Sequence, residues 1–449
     1  MLNRKIDNYL ETFYKNQNKA LLITGARQTG KSFSIRNFGT THFESFIEIN
    51  FIEQPEAVSV LAEAKNSQEI LMRLSLLSNK PLVKGKTLIF FDEVQEYPEL
   101  VTAIKFLVAE GSYRYVLSGS LLGVKLNDLR SEPVGYMEVK EMFPLDFEEY
   151  LWAMGVNTQI TDNLRNAFIN KTPVDTFIHN KIMELFRLYL IVGGMPAVIQ
   201  KYIDTNNLQQ VIEEQQSIVR LYKRDISKYD KKRKLYIEEI YDLIPPELNA
   251  KNKRFVLKNL NENLKFSRYE NSFIWLKDAG VALPVYNAEE PVVPLKLSRS
   301  RNLFKLFSND IGLLASQYAD GIQLRLLNGD KGINFGSIYE NVVAQELRAH
   351  GFDLYYFNNK KQGELDFIVE KDAHVLPIEV KSGKDYQRHN ALSNVMENTD
   401  YAIPNAIVLC NDNVRTNGKI CYLPIYMVTF LEKQSPVNII YHIDTDVLK

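Results

Sequence analysis

The 449-residue sequence predicts an α/β protein of more than one unit, and three stretches carry that reading. In "ALLITGARQTGKSFSIRNFG" an apolar strand runs into a glycine-bounded turn and then a helix-like segment. "KTLIFFDEVQ" is an apolar strand ending in Asp92 and Glu93. "LPIEVKSG" sets Glu379 and Lys381 two residues apart, so both point to one face of an otherwise apolar strand. Strand–helix alternation through the first third of the chain predicts a parallel sheet covered on both faces.

Gly25 through Ser32 satisfies G-x-x-x-x-G-K-[ST], placed between a strand and a helix. That context is what the chemistry needs, because backbone N–H groups must wrap phosphates while a helix N-terminus faces them. The expected nucleotide contacts are Gly25, Ala26, Arg27, Gln28, Thr29, Gly30, Lys31, Ser32 and Phe33. Gly25 and Gly30 permit the tight path, Lys31 reaches the β- and γ-phosphates, and the Ser32 hydroxyl ligates Mg²⁺. Asp92 stands at the C-terminal end of a buried strand, where such sheets bind ligands, and is the expected second Mg²⁺ contact. Glu93 is placed to orient a hydrolytic water, since phosphoryl transfer is mostly positioning. "YRYVLSGSLLG" ends a further strand at Ser118, the first choice for a residue sensing the γ-phosphate; Ser120 is the second, and either could be a plain turn residue.

Composition narrows the rest. The formal net charge is -1, so no global field draws the chain onto nucleic acid, and any such contact is a local patch. Two cysteines, Cys410 and Cys421, make no disulfide framework and read as buried thiols in a reducing compartment. The charged start lacks a signal-peptide run, and no apolar segment approaches the ~20 residues of a membrane span, so a cytoplasmic protein without membrane contact is expected. Six scattered histidines include no pair at zinc-ligand spacing.

The middle of the chain reads as helical, broken at "VGGMPAVI". From Lys223 to Lys234 seven basic residues face two aspartates, either a solvated helix face or a phosphate-backbone contact. Beyond it, a helix bearing Trp275 and Leu276, a stop at Gly280 and two short strands have the order of a winged helix, which would present Lys265, Arg268 and Lys277 to DNA.

Near the end, an amphipathic helix striped by Ile338, Val342, Val343 and Leu347 precedes the strands "FDLYYF", "ELDFIVE" and "VLPIEVK". Helix, strand with an inward acid, then strand with E-x-K is the layout of the PD-(D/E)XK nuclease core. Asp366 and Glu379 could hold Mg²⁺, with Glu340, or alternatively Glu346, completing the set. Lys381 would stabilise developing charge. The bare pattern is common; its weight lies in acids interrupting apolar strands, where a half-buried carboxylate needs a partner.

Taken together, "GARQTGKS", "FFDEVQ", "SGSLLG", "MFPLDFEEYL" and "GGMPAVI" resemble prokaryotic AAA-family ATPases that carry an uncharacterised C-terminal nuclease-like domain, a likeness that runs the length of the chain. The resemblance implies an ATP-binding core of the additional-strand catalytic-glutamate type, a helical lid and a C-terminal appendage. Relatives often place Gly-Arg before the fifth strand, whereas this chain has Tyr136 after Gly135; Arg130 is a weak substitute for an arginine finger. Expected boundaries are a P-loop AAA-type ATPase core at 1–155, a helical lid at 156–230, a winged-helix-like segment at 231–300 and a PD-(D/E)XK-like domain at 301–449. The leading expectation is ATP hydrolysis controlling a DNA-interacting or DNA-cutting module. The alternative is a nucleotide-switched scaffold binding a protein partner, without nuclease activity; expected partners are ATP and DNA, with a homo-oligomer or a protein partner beside them.

Overall fold

The computed structural model describes residues 2–119, 133, 135–229, 234–250, 253–255, 269–318, 321–328, 335–433 and 441–443. Ser120, Arg130, Lys265 and Arg268 lie outside the described residues, as does most of the basic run after Tyr229.

The N-terminal sheet has five strands: β1 (Ala20–Thr24), β2 (Ser45–Asn50), β3 (Thr87–Asp92), β4 (Arg114–Ser118) and β5 (Met137–Glu141). All pair in parallel, in the order β2-β3-β4-β1-β5, so β4 is inserted between the strand that feeds the glycine loop and the strand that ends in Asp92. Side chains alternate between two apolar layers, as the period of two requires. Ala20, Leu22, Ile89 and Phe91 face Leu71, Leu74, Leu100 and Ile104 of the helices Ser67–Ser78 and Pro98–Glu110. Leu21, Ile23, Leu88 and Phe90 face Ile6, Leu10, Ile35 and Phe38 of the helices Lys5–Asn16 and Lys31–His42. Burial on both faces explains why β3 reads as an unbroken apolar run.

Helices Phe147–Ala153, Thr158–Asn170, Thr176–Val192, Pro196–Thr205, Leu208–Tyr229 and Lys234–Asn249 form the middle layer. The break at Gly193 follows from packing: a Cβ there would stand 2.4 Å from Asp310 Oδ1 and 2.7 Å from the Gly312 nitrogen. Among the described residues no single helix is long and apolar enough to cross a membrane.

The second sheet has eight strands, adding β6 (Ala282–Ala288), β7 (Arg299–Ser308), β8 (Tyr355–Asn359), β9 (Gly363–Lys371), β10 (His374–Val380), β11 (Ala406–Cys410), β12 (Arg415–Asn417) and β13 (Ile420–Pro424). Their order is β12-β13-β11-β10-β9-β8-β6-β7. β8, β9 and β10 are antiparallel neighbours; the helix Asn390–Glu397 then crosses over to β11, parallel to β10. Here the structure differs from the sequence expectation. Of the two wing strands expected before Leu297, the first is β6, which pairs in parallel with β8 through Tyr286–Tyr355 and antiparallel with β7; where the second was expected, Leu295–Ser298 form a short 3-10 turn instead. A boundary near residue 300 therefore falls inside one sheet. The reason is tertiary: the strand edge that accepts β6 is built some seventy residues later in the chain, which local pattern does not report.

One apolar cluster runs without a gap from Leu145 and Phe147 through Phe186, Tyr189 and Ile191 to Val343, Phe367 and Tyr426. The middle helices are thus packed against the second sheet and meet the N-terminal half at Ala26 and Leu145. Both cysteines are buried and unpaired, and burial pushes the Cys410 thiol up to about 11.

Candidate functional site

The loop after β1 is shaped by positive φ angles at Gly25 (136°), Gln28 (63°) and Gly30 (93°). At Gly25 the requirement for glycine is doubled, since a Cβ would lie 2.2 Å from the Met142 carbonyl oxygen. The helix Lys31–His42 begins directly after Gly30 and turns its unpaired N–H groups toward the loop. Lys31 is buried, with Nζ donating to the carbonyls of Gly25 (3.1 Å) and Ala26 (2.7 Å). Burial pulls its pKa down to about 8, against the support of Glu93 and Asp92.

Asp92, at the end of β3, collects four donors. Ser32 Oγ donates to Oδ2 at 2.9 Å and Asn50 Nδ2 at 3.1 Å, while Oδ1 accepts from Ser118 Oγ and from the Glu93 amide at 3.1 Å. The Arg36 guanidinium stands 3.8 Å away. A carboxylate held in this way, with a serine hydroxyl against it, is a fitting donor set for a hard divalent cation beside a triphosphate. Gly25 through Ser32, Asp92, Glu93 and Ser118 lie close together, and Glu93, in the left-handed region at φ 55°, accepts from Gln95 Nε2. Phe33 is 55% exposed and faces solvent. Sequence reasoning missed Asn50, although its signal was the same as that of Asp92: a polar residue ending an apolar strand, in register with Asp92. It also missed Arg4 and Tyr222, which reach the loop from distant parts of the chain.

A second cluster lies in the C-terminal sheet. Asp366 from β9 accepts the Val380 amide at 2.9 Å, and Lys381 Nζ donates to Glu379 Oε1 at 2.7 Å. Glu379 Oε2 is buried with no hydrogen-bond partner among the described residues. Burial, with Glu340 and Glu379 beside it, pushes Asp366 well above the usual carboxylate range. Two lysines unforeseen from sequence enter here. Lys305 of β7 is fully buried, 3.4 Å from Glu340 Oε2 and 2.9 Å from Glu364 Oε1, and Lys253 donates to Glu340 Oε1. Burial would raise Glu340, and the Lys305 and Lys253 ammoniums outweigh it to hold that carboxyl low. The fit to a divalent cation is therefore uneven: Asp366 and Glu379 offer charge and an unused oxygen, whereas Glu340 is already neutralised.

Glu346, the alternative ligand, is not in this cluster. One turn and a half further along the helix Phe335–Ala349, it turns toward the N-terminal half, accepting from the Phe147 amide (2.9 Å) and the Tyr189 hydroxyl (3.3 Å). There it joins Asp146 and His350, whose ligand atoms lie within 4.8 Å of one another. His350 Nε2 is 3.0 Å from Asp146 Oδ2 and Nδ1 is 3.1 Å from the Leu431 carbonyl, while Lys5 Nζ is 2.6 Å from Asp146 Oδ2. Burial pushes Glu346 up to about 7, helped by the Asp146 charge; the Asp146 bond raises His350 although burial opposes it. Both folded pKa values are raised. Each group therefore contributes stability at low pH, Glu346 losing its share as pH rises through about 7 and His350 above its ordinary value. Melting temperature is expected to fall by roughly 2–5 °C between about pH 5 and 8, and Glu346→Gln to flatten that fall, as differential scanning calorimetry would read. A pH profile unchanged in the variant would remove Glu346 as the cause.

Comparison with known proteins agrees with the first sheet. Residues 17–151 match the model of an AAA domain family; residues 183–324 and 335–428 each match a different domain of unknown function. No curated protein matches the chain. Among solved structures, a Walker-type ATPase of Pyrococcus abyssi is 14% identical with a TM-score of 0.43, covering 71% of this chain and 96% of its own. The Aeropyrum pernix ORC1 protein in complex with DNA (12%, TM-score 0.26, 73% and 91%) and the ADP form of the ORC2 protein of the same organism (11%, 0.28, 73% and 93%) are similar over comparable spans. At TM-scores this low no residue role is carried over from them. Loop, strand order and family match converge on one statement: residues 17–151 are an AAA-type P-loop domain.

Proposed function

We propose that this chain is an ATP-hydrolysing switch whose nucleotide state governs the carboxylate–lysine cluster of the C-terminal sheet, and that this cluster acts on phosphodiesters of nucleic acid. The first site would take ATP with Mg²⁺: the loop from Gly25 through Phe33 wraps the phosphates, Lys31 leaves the Gly25 and Ala26 carbonyls for the β- and γ-phosphates, and Ser32 and Asp92 hold the ion. When bound, Mg²⁺ neutralises charge on the transferring group. Glu93 orients the attacking water, and Ser118, fixed on Asp92, monitors the γ-phosphate.

The observation that carries the switch is a contact between the two halves. Gly280, where the chain turns into β6, lies so close to the loop that a Cβ would stand 3.0 Å from the Ala26 nitrogen. From that turn β6 runs alongside β7, with Val285 opposite Lys305, and Lys305 reaches Glu340 and Glu364. A change in the loop thus bears on a rigid strand pair that ends among the acids of the second site. The helix–strand–strand–strand–helix–strand order from Phe335 to Cys410, with Asp366 and Glu379 on adjacent strands, supports the nuclease-like reading of that site.

A second reading is favoured by the charges. Glu340, Glu364, Asp366 and Glu379 stand against Lys253, Arg254, Lys305 and Lys381, a balance that leaves little need for a metal ion. On that reading the chain is a nucleotide-switched scaffold that binds a protein partner and cuts nothing. Strand cleavage with Mg²⁺ or Mn²⁺, measured under ATP, ADP and no nucleotide, separates the two. The leading reading expects cleavage that changes several-fold with nucleotide; cleavage indifferent to nucleotide would break the proposed coupling.

A further inference from the structure

The residues of the phosphate-binding motif do not hold the loop's shape by themselves. Its carbonyls are held one by one: Thr24 by the Met142 amide (2.8 Å), Ala26 by the Thr29 hydroxyl (3.0 Å) and Lys31, Arg27 by the Tyr222 hydroxyl (3.1 Å), and Thr29 by Arg4 (2.9 Å). A trans peptide points its C=O and the following N–H in opposite directions. Fixing the Arg27 and Thr29 carbonyls outward therefore turns the Gln28 and Gly30 amides inward, where an anion would sit.

Arg4 is suited to this task. Its side chain is 7% exposed, and the guanidinium bonds three separate segments: Thr29 O through one terminal nitrogen, Phe143 O (2.8 Å) through the other, and Glu149 Oε1 (3.1 Å) through Nε. A planar fork of donors does this; a lysine ammonium, a point charge on a flexible stem, does not. Tyr222 comes from the helix Leu208–Tyr229, one turn before Asp225, which pairs with Arg27 Nη1 at 2.9 Å. The loop is thus gripped from the N-terminal helix on one side and from the middle layer on the other.

We propose that Arg4 and Tyr222 are positioning residues of the nucleotide site: they orient the Thr29–Gly30 and Arg27–Gln28 peptides so that their N–H groups face the phosphates. Neither touches the nucleotide's reacting atoms. The proposal rests on the nucleotide reading above, and it adds that phosphate affinity is set partly from outside the motif.

The test is titration calorimetry of the full chain with a non-hydrolysable ATP analogue and with tripolyphosphate, beside steady-state hydrolysis. Arg4→Ala is expected to weaken both ligands roughly tenfold or more, and Tyr222→Phe about threefold to tenfold. KM should rise by similar factors while kcat at saturating ATP changes less than about threefold, since the loss is of ground-state and transition-state binding alike. Arg4→Lys, which keeps the charge and loses the fork, should stay near Arg4→Ala. Arg73→Ala serves as the stability control, because Arg73 pairs with Glu63 (3.0 Å) and the Val60 carbonyl rather than with the loop or its braces; its affinity should equal wild type. Should Arg4→Ala fail to fold, Tyr222→Phe decides, because it removes one hydroxyl. Wild-type affinity in Tyr222→Phe and Arg4→Ala, or an equal loss in Arg73→Ala, overturns the proposal while leaving nucleotide binding intact. A wild-type chain that binds neither ligand overturns the nucleotide reading itself, and this inference with it.

Discussion

Lys31→Ala is expected to lower ATP turnover by about 10²–10³-fold or more, the scale of losing one preorganised charge at a transition state. The reason lies in the company Lys31 keeps. It is buried close to Asp92 and Glu93, and its pKa, pulled down to about 8, is supported by those two carboxylates. Without the ammonium, a triphosphate entering the loop meets Asp92 and Glu93 without the buried cation that stands beside them, so binding and turnover fall together. Phosphate release by the purified variant is the measurement, with a melting curve to confirm folding. Undiminished hydrolysis would mean that the loop from Gly25 to Ser32 is not the nucleotide site.

Lys381→Ala carries the second large expectation. On the nuclease reading, metal-dependent nicking should fall by about 10²–10³-fold, because Lys381 bonds Glu379 directly and lies beside Asp366. Its Nζ bonds Glu379 Oε1, and Glu379 Oε2 already lacks a hydrogen-bond partner among the described residues, so the variant removes that carboxylate's direct ion pair. Lys31→Ala and Lys381→Ala should dissociate: the first loses hydrolysis, the second keeps it and loses only cleavage. If the wild-type chain, with ATP present, nicks no form of DNA or RNA, the cluster is an ion-pair network and the scaffold reading stands.

The nucleotide loop was legible in the sequence because its elements are contiguous: a strand, a glycine turn and a helix, then a second strand whose end carries the acid. The same strand-end rule would have found Asn50 had it been applied to "FESFIEIN". Arg4 and Tyr222 could not be read in this way, since they act on the loop from 25 and 195 residues away and neither interrupts a local pattern. In the C-terminal half, Asp366, Glu379 and Lys381 stood out as charges within apolar strands. Lys305 has the same signature in "NLFKLFS", but its partners Glu340 and Glu364 lie 35 and 59 residues further on, and nothing local joins its strand to that sheet. The wing expectation failed for a related reason: alternation and turn residues identify a hairpin, and only long-range pairing decides which edge it joins.

The apolar layer that passes from Leu145 to Tyr426 bears on how this molecule can be dissected. Cutting the chain at any junction between its family matches would bare oily surface on both fragments, and such pieces are expected to clump rather than report a lone activity. Heat should instead melt the described halves as one event, a single endotherm in place of a staircase. Dissection must accordingly proceed by side-chain replacement within the intact polypeptide.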